Sequence, residues 1–348
     1  MKTKTIIGLA LAGFAATLAI RKVRRPSLDL RGKVVLVTGS SRGLGFILAR
    51  EFAREGSDIV ICARDAAELE QARAALAKEK EGPAVLAIPC DVSDQEQVNH
   101  LIHAATEHFG RIDILVNNAG VIQAAPIEAV TVQDFVDSHA VMFWGVLYST
   151  LAVLPQMRAR QSGRIVNITS IGGKVSIPHL LPYSSAKFAA TGFSEGLRAE
   201  LRSQGILVTT IVPGLMRTGS YLKAFFKGNE ADEFTWFAIS DNLPILSMDA
   251  ERAARQIVKA VQRGEAERIL SIPANLLARI HGLFPGATMD MVGMIASALL
   301  PAGVPDVEAV PGEVARQRMP AARRKVVDGL TVLGRRAAKK FQHSLDPQ

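Results

Sequence analysis

The segment KVVLVTGSSRGLG, Lys33–Gly45, joins a short β-branched run to a turn spaced by glycines. Val34 to Val37 are apolar without alternation, as in a strand covered on both faces. Gly39, Gly43 and Gly45 follow, and an amphipathic stretch then runs to about Glu55. Glycines let a backbone turn sharply and approach a pyrophosphate, whose charge sits at the positive N-terminus of the following helix. Strand, turn and helix in this order open a βαβ unit and predict a dinucleotide site.

The alternation continues outward from that unit. Apolar runs recur as DIVICA (58–63), AVLAIPC (84–90), DILVNNA (113–119), RIVNITS (164–170), ILVTTIVP (206–213) and ERILSIP (267–273), each separated by a helix-like stretch. Continuously apolar strands with helices between them indicate a parallel sheet covered on both sides. The expected fold class is α/β, a doubly wound (Rossmann) parallel sheet of about seven strands. It forms a single domain over residues 27–275, with an anchor at 1–26 and a helical extension with a basic tail at 276–348.

Of the 348 residues 48% are hydrophobic, ample for a buried core, and the two cysteines, Cys62 and Cys90, read as buried thiols and not as a metal site. The net charge of +8 is uneven: residues 1–26 carry +6, residues 313–348 carry +6, and the body between them carries −4. Nucleic acid is therefore not an expected partner, whereas basic ends suit anionic lipid heads.

The apolar run Thr5–Ile20 is flanked by Lys2, Lys4, Arg21 and Lys22. It is shorter than the roughly 20 residues that span a bilayer, so snorkelling lysines and arginines would have to widen its reach. With the larger cation cluster on its C-terminal side, the body is expected to face the cytoplasm. A cleaved signal peptide and a helix lying beside the membrane are the alternatives. The Met-rich segment 285–305 reads first as a core helix, with a surface lying on a membrane and a subunit contact as the alternatives. The Arg/Lys-rich tail after Pro311 is expected to be loosely held.

The second strand ends in ICARD, with Arg64 at the strand end and Asp65 one place on. A carboxylate there would hold the ribose of NAD, and an arginine accommodates the 2′-phosphate of NADP. Arg42, inside the glycine turn, adds a second guanidinium, and the pair points to NADP(H). Further along, YSSAK places Tyr183 and Lys187 four residues apart, on one face of a helix. An ammonium so placed is expected to lower the tyrosine pKa and fit it to exchange a proton with a carbonyl or alcohol as hydride moves. Ser170, closing RIVNITS at a strand end, is placed to hydrogen-bond the reacting oxygen.

TGSSRGLG, NNAG (Asn117–Gly120), Ser170 thirteen residues before YSSAK, and PGLMRT (Pro213–Thr218) together resemble the short-chain dehydrogenase/reductase family, from Lys33 to Pro273. The resemblance implies Tyr183 as acid/base, Ser170 orienting the substrate, and Lys187 holding the ribose hydroxyls while tuning Tyr183. It implies a cofactor contacted by Gly39, Ser41, Arg42, Gly43, Leu44, Gly45, Arg64, Asp91, Val92, Asn118, Ala119, Gly120, Tyr183, Lys187, Pro213, Gly214 and Thr218. Asp91 would meet the adenine, Thr218 the carboxamide, and Asn117 would steady the central strands. The family also implies a homo-oligomer.

One position departs from the pattern. Where the family carries asparagine three residues before a glycine, this chain reads VMFWG, with Met142 before Gly145. Methionine lacks the amide, so a slower or altered proton relay is expected; His139 nearby could substitute as a polar group, though it reads more readily as a helix-surface or subunit-contact histidine. The connection from Thr218 to Met248 holds Tyr221, Phe225, Phe226, Phe234, Trp236 and Phe237, which suits an apolar pocket, a subunit interface or a lid dipping into a membrane. The expected function is a membrane-anchored NADP(H)-dependent oxidoreductase acting on a lipophilic carbonyl/hydroxyl pair of fatty-acyl, steroid, retinoid or isoprenoid type. The alternative is a weakly active or inactive dinucleotide-binding sensor or scaffold at the membrane.

Overall fold

The computed structural model describes residues 27–79 and 84–341; the expected anchor at 1–26 lies outside the described residues. All seven apolar runs are strands of one parallel sheet: β1 (Val34–Thr38), β2 (Asp58–Ala63), β3 (Val85–Pro89), β4 (Ile114–Asn117), β5 (Gly163–Ile168), β6 (Ile206–Val212) and β7 (Glu267–Ile269). Their spatial order is β7-β6-β5-β4-β1-β2-β3. Val35 of β1 lies beside Ile59 on one side and Ile114 on the other, so the winding reverses at β1. Open α/β sheets bind ligands in the crevice at the carboxyl ends of the strands flanking such a reversal.

Helices α1 (Gly43–Arg54), α2 (Ala66–Leu76), α3 (Gln95–Phe109), α4 (Val132–Ala159), α5 (Leu181–Leu201), α6 (Glu230–Asn242) and α7 (Ala250–Arg263) follow in chain order. On one face of the sheet the fully buried Ile47 and Phe52 of α1 pack with Ile257 and Val261 of α7. On the other, Val98 and Leu101 of α3 pack with Val153 and Met157 of α4. Among the described residues α4 alone is long and apolar enough to cross a membrane, at mean hydropathy 1.4 over its window. It packs on the sheet face and 44% of that window is buried, which suits a core helix. A π-helical turn, Ala140–Trp144, interrupts it.

The C-terminal region behaves in two opposite ways. Helices α8 (Ile272–Leu283) and α9 (Pro285–Leu299) form a hairpin whose buried residues are Ala274 and Thr288 alone, so the core-helix reading of 285–305 does not hold. Helix α8 also runs across residue 275, with no break there.

By contrast, residues 312–341 of the tail after Pro311 are not loosely held, and residues 342–348 lie outside the described residues. They form α10 (Gly312–Arg318), α11 (Ala321–Leu330) and α12 (Val332–Lys340), which bury Ala315, Met319, Val327, Ala338 and Phe341. Ala315, Met319, Val327 and Ala338 give the basic helices an apolar side against Tyr221, Phe226, Phe234 and Phe237, while Phe341 joins the core beneath α1. Arg316 donates two hydrogen bonds of 2.7 Å to Asp328, and the Gly43 amide donates to the Phe341 carbonyl at 3.0 Å. Val310–Pro311 also pairs with Phe225–Phe226, which pairs with Gln123–Ala124 in a small separate sheet.

Candidate active site

A cavity of about 1450 Å³ runs along the carboxyl ends of the strands. Every residue named from the sequence for cofactor or catalysis lines it, from Gly39 to Thr218. Asn117 lies just beneath: its amide donates to Asn167 at 2.9 Å, and Asn167 donates to Ser194 at 3.0 Å, which joins β4 to β5 and α5.

The glycine turn is held from below. Thr38 Oγ1 accepts from the amides of Asn118 and Ala119 at 3.0 and 3.1 Å, and the Asn118 side chain donates to the carbonyls of Thr38 and Gly39 at 3.0 Å each. Gly39 has φ +62°, and a Cβ there would stand 2.7 Å from Ala119 Cα. A Cβ on Gly45 would lie 2.2 Å from the Gly39 carbonyl oxygen. Neither position admits a side chain, and the turn presents bare backbone at the N-terminus of α1. These residues fit the pyrophosphate of a dinucleotide.

At the end of β2, Asp65 is committed to its own helix, where its carboxylate accepts from the amides of Ala67 and Glu68 at 2.9 Å. Arg64 is exposed beside it. Arg42 forms an ion pair with Glu68, and Ser41 donates to the same carboxylate oxygen at 3.4 Å. Asp91 accepts from the amide and hydroxyl of Ser93 at 3.0 and 2.7 Å, and Val92 is buried with its carbonyl against Gly145.

Ser170, Tyr183 and Lys187 meet at the ends of β5 and α5. Ser170 ends the strand segment and its hydroxyl accepts from the Gly172 amide at 3.0 Å. Burial pushes the Tyr183 hydroxyl up, and a hydrogen bond with Ser170 partly offsets this. Lys187 is 5% exposed and donates to the Ile168 carbonyl at 2.9 Å, with Nζ 5.8 Å from the centre of the Tyr183 ring. Burial lowers its pKa to about 8. The expected acidification of Tyr183 is therefore corrected: the ammonium is spent on a strand-end carbonyl, and desolvation keeps the phenol protonated.

Met142 sits fully buried in the π-turn, with Sδ 3.7 Å from the Cβ position of Gly120, a point that Lys187 Nζ reaches at the same distance. His139 does not replace the missing amide, since its Nδ1 bonds the Phe135 carbonyl of its own helix at 2.9 Å. Of the six aromatics between Thr218 and Met248, Phe225, Trp236 and Phe237 line the cavity, whereas Tyr221, Phe226 and Phe234 are buried.

Sequence reasoning missed three charged features of the substrate end. Glu233, fully buried, accepts from Trp236 Nε1 at 2.6 Å and bonds His179 Nδ1 at 2.8 Å. Lys227 and Asp134 form a buried ion pair at 2.8 Å. Asp241, 3% exposed, lines the same cavity, and burial pushes its pKa up to about 7. A lone Lys227 after two phenylalanines was the one local hint for the ion pair; Asp134 lies 93 residues from Lys227 and His179 lies 54 from Glu233, and only Trp236 is near Glu233 in sequence.

The family model for short chain dehydrogenases matches residues 33–225. The chain is 35% identical to a dehydrogenase/reductase SDR family protein 7-like of Anopheles gambiae, over 73% of this chain and 80% of that protein. It is 33% identical to 11-beta-hydroxysteroid dehydrogenase A of Sesamum indicum, over 71% and 70%. Among solved structures, L-sorbose reductase of Gluconobacter frateurii, complexed with NADPH and L-sorbose, superposes with a TM-score of 0.63 at 28% identity, over 70% of this chain and 97% of that one. With the parallel sheet, the glycine turn and these matches together, the chain belongs to the short-chain dehydrogenase family of oxidoreductases, which bind nicotinamide dinucleotides.

Proposed function

We propose that this chain is an NADP(H)-dependent oxidoreductase that interconverts a carbonyl and a hydroxyl on a lipophilic substrate of fatty-acyl, steroid, retinoid or isoprenoid type. The observation that carries it is the meeting of Ser170, Tyr183 and Lys187 in one cavity with the glycine turn. When bound, the nicotinamide supplies or accepts the hydride. Ser170 and Tyr183 grip the substrate oxygen. In reduction the Tyr183 hydroxyl gives its proton to that oxygen as charge develops there, leaving a phenolate, and in oxidation it is the phenolate form that takes the alcohol's proton. The Lys187 ammonium places a positive charge beneath this exchange.

Three features favour NADP(H) over NAD(H). Asp65 is occupied as a helix cap, and Arg42 and Arg64 flank the place expected of a 2′-phosphate. The NADPH complex of a structural neighbour and the hydroxysteroid dehydrogenase name of a relative point the same way for cofactor and substrate class. Phe225, Trp236, Phe237 and Leu246 supply apolar lining. The reading includes residues 1–26 as a membrane anchor with the catalytic body on the cytoplasmic side, and assembly as a homo-oligomer.

The test is NADPH and NADH consumption by the full chain in detergent with matched lipophilic and hydrophilic ketones and aldehydes. Turnover confined to NADPH and to lipophilic carbonyls is expected. Faster turnover with NADH overturns the cofactor choice, and faster turnover of hydrophilic carbonyls overturns the substrate class. Tight NADPH binding without turnover of any carbonyl favours the sensor, to which the buried methionine at the asparagine position lends some support.

A further inference from the structure

We propose that the α8–α9 hairpin is a membrane-inserting surface, seated among the headgroups and upper acyl chains of a lipid bilayer. It carries six large apolar side chains that are more than half exposed: Ile272 at 85%, Leu276 at 58%, Leu283 at 74%, Phe284 at 63%, Met294 at 67% and Leu299 at 73%. Scattered exposed leucines are ordinary on a protein surface, but a contiguous group on one protruding unit marks an interaction site.

Charge narrows the partner. Between Ser271 and Pro301 the chain carries only Arg279 and Asp290. In α9 exposed residues run around most of the circumference, with Met291, Met294, Ile295 and Leu299 apolar and only Asp290 and Ser297 polar among the larger ones, and Thr288 is its one buried residue. A helix that is apolar nearly all round belongs inside a protein or among lipid. A second protein copy would cover one side of such a hairpin and leave the other wet. Lipid surrounds it. The two helices pack mainly on each other, so the hairpin is free to sink by the roughly 5–10 Å typical of interfacial helices.

The same unit walls the active site. Ala274 and Leu277 of α8 line the cavity, while Ile272, Leu276 and Leu283 face outward. The neighbouring loop does likewise: Leu246 lines the cavity, and Ile245 is 87% exposed. With the hairpin inserted, this rim of the cavity lies at the bilayer surface. The contact does not depend on the substrate being lipophilic, since it follows from the exposed side chains alone.

The experiment uses the full chain with Leu283→Cys carrying an environment-sensitive fluorophore, since Cys62 and Cys90 are buried. A control chain carries the same label at Glu96→Cys, exposed on α3. Each is mixed with phosphatidylcholine vesicles, with brominated lipid as quencher from the membrane and iodide as quencher from water; an unchanged thermal midpoint certifies the fold. The expected result is quenching at position 283 by brominated lipid, several-fold beyond the control, with loss of iodide quenching only there. Unchanged iodide quenching at 283 on adding vesicles overturns the proposal, even if residues 1–26 hold the chain to the membrane. Concentration-dependent protection from iodide without lipid, and no further change with lipid, also overturns it and assigns the hairpin to a second copy.

Discussion

Arg42 and Glu68 pair across the glycine turn, and the Ser41 hydroxyl donates to the same Glu68 oxygen. A carboxylate thus sits among the groups proposed to read a 2′-phosphate. Both side chains are about a third exposed, so solvent screens the interaction. Glu68→Gln keeps the shape and removes the charge. NADPH affinity should rise about five- to tenfold, on the order of 1 kcal/mol of relieved repulsion, with NADH affinity little changed. Titration calorimetry with both cofactors decides it, and an unchanged NADPH-to-NADH ratio would remove Arg42 from the phosphate site.

Lys187 sets a pH limit. Tyr183 stays protonated through the neutral range because burial raises its pKa, so reduction does not lose its acid there. Lys187, lowered to about 8, loses its charge above that pH. The rate of carbonyl reduction should hold to about pH 8 and then fall. In Lys187→Arg the guanidinium stays charged, and whatever activity remains should lack that break. A wild-type profile flat from pH 7 to 9.5 would contradict the lysine's role.

Glu233 holds two side chains from one buried carboxylate. Glu233→Ala leaves Trp236 Nε1 and His179 Nδ1 without their partner and opens a gap behind the cavity wall. A loss of about 2–4 kcal/mol is expected in urea unfolding. His179, at φ +61°, is also held in a backbone conformation that suits glycine better.

Asp241 makes stability depend on pH. Its folded pKa of about 7 lies above the model-peptide value, so the folded state binds the proton more tightly than the unfolded one. That contribution is complete below about pH 4 and is lost as pH rises through 7. Asp241→Asn should therefore stabilise the chain more at pH 8 than at pH 5, by on the order of 2 kcal/mol. Thermal melts at the two pH values measure the difference, and equal effects would show Asp241 to be better solvated than its burial implies.

How much of this was legible in the sequence depended on range. The seven strands and the turn at Gly39 and Gly45 were readable because each is local: an apolar run, or a glycine where no Cβ fits. Tyr183 and Lys187 were readable by their spacing, which fixed a shared face but not where the ammonium points, and Ser170 was readable by its place at a strand end. Lys187 turns to Ile168, nineteen residues away in sequence, and no pattern in YSSAK reports that. The order in residues 312–341 was hidden for a similar reason. Their arginines and lysines dominate the composition, while the few apolar positions acquire meaning only against Tyr221 and Phe234.

The central claim is that Tyr183 transfers a proton to or from a substrate oxygen. The most direct test compares kcat and NADPH affinity in wild type and Tyr183→Phe with the best carbonyl substrate found. The account predicts a fall in kcat of about 10²–10⁴-fold with the NADPH dissociation constant within a few-fold of wild type. Full turnover in Tyr183→Phe would contradict it.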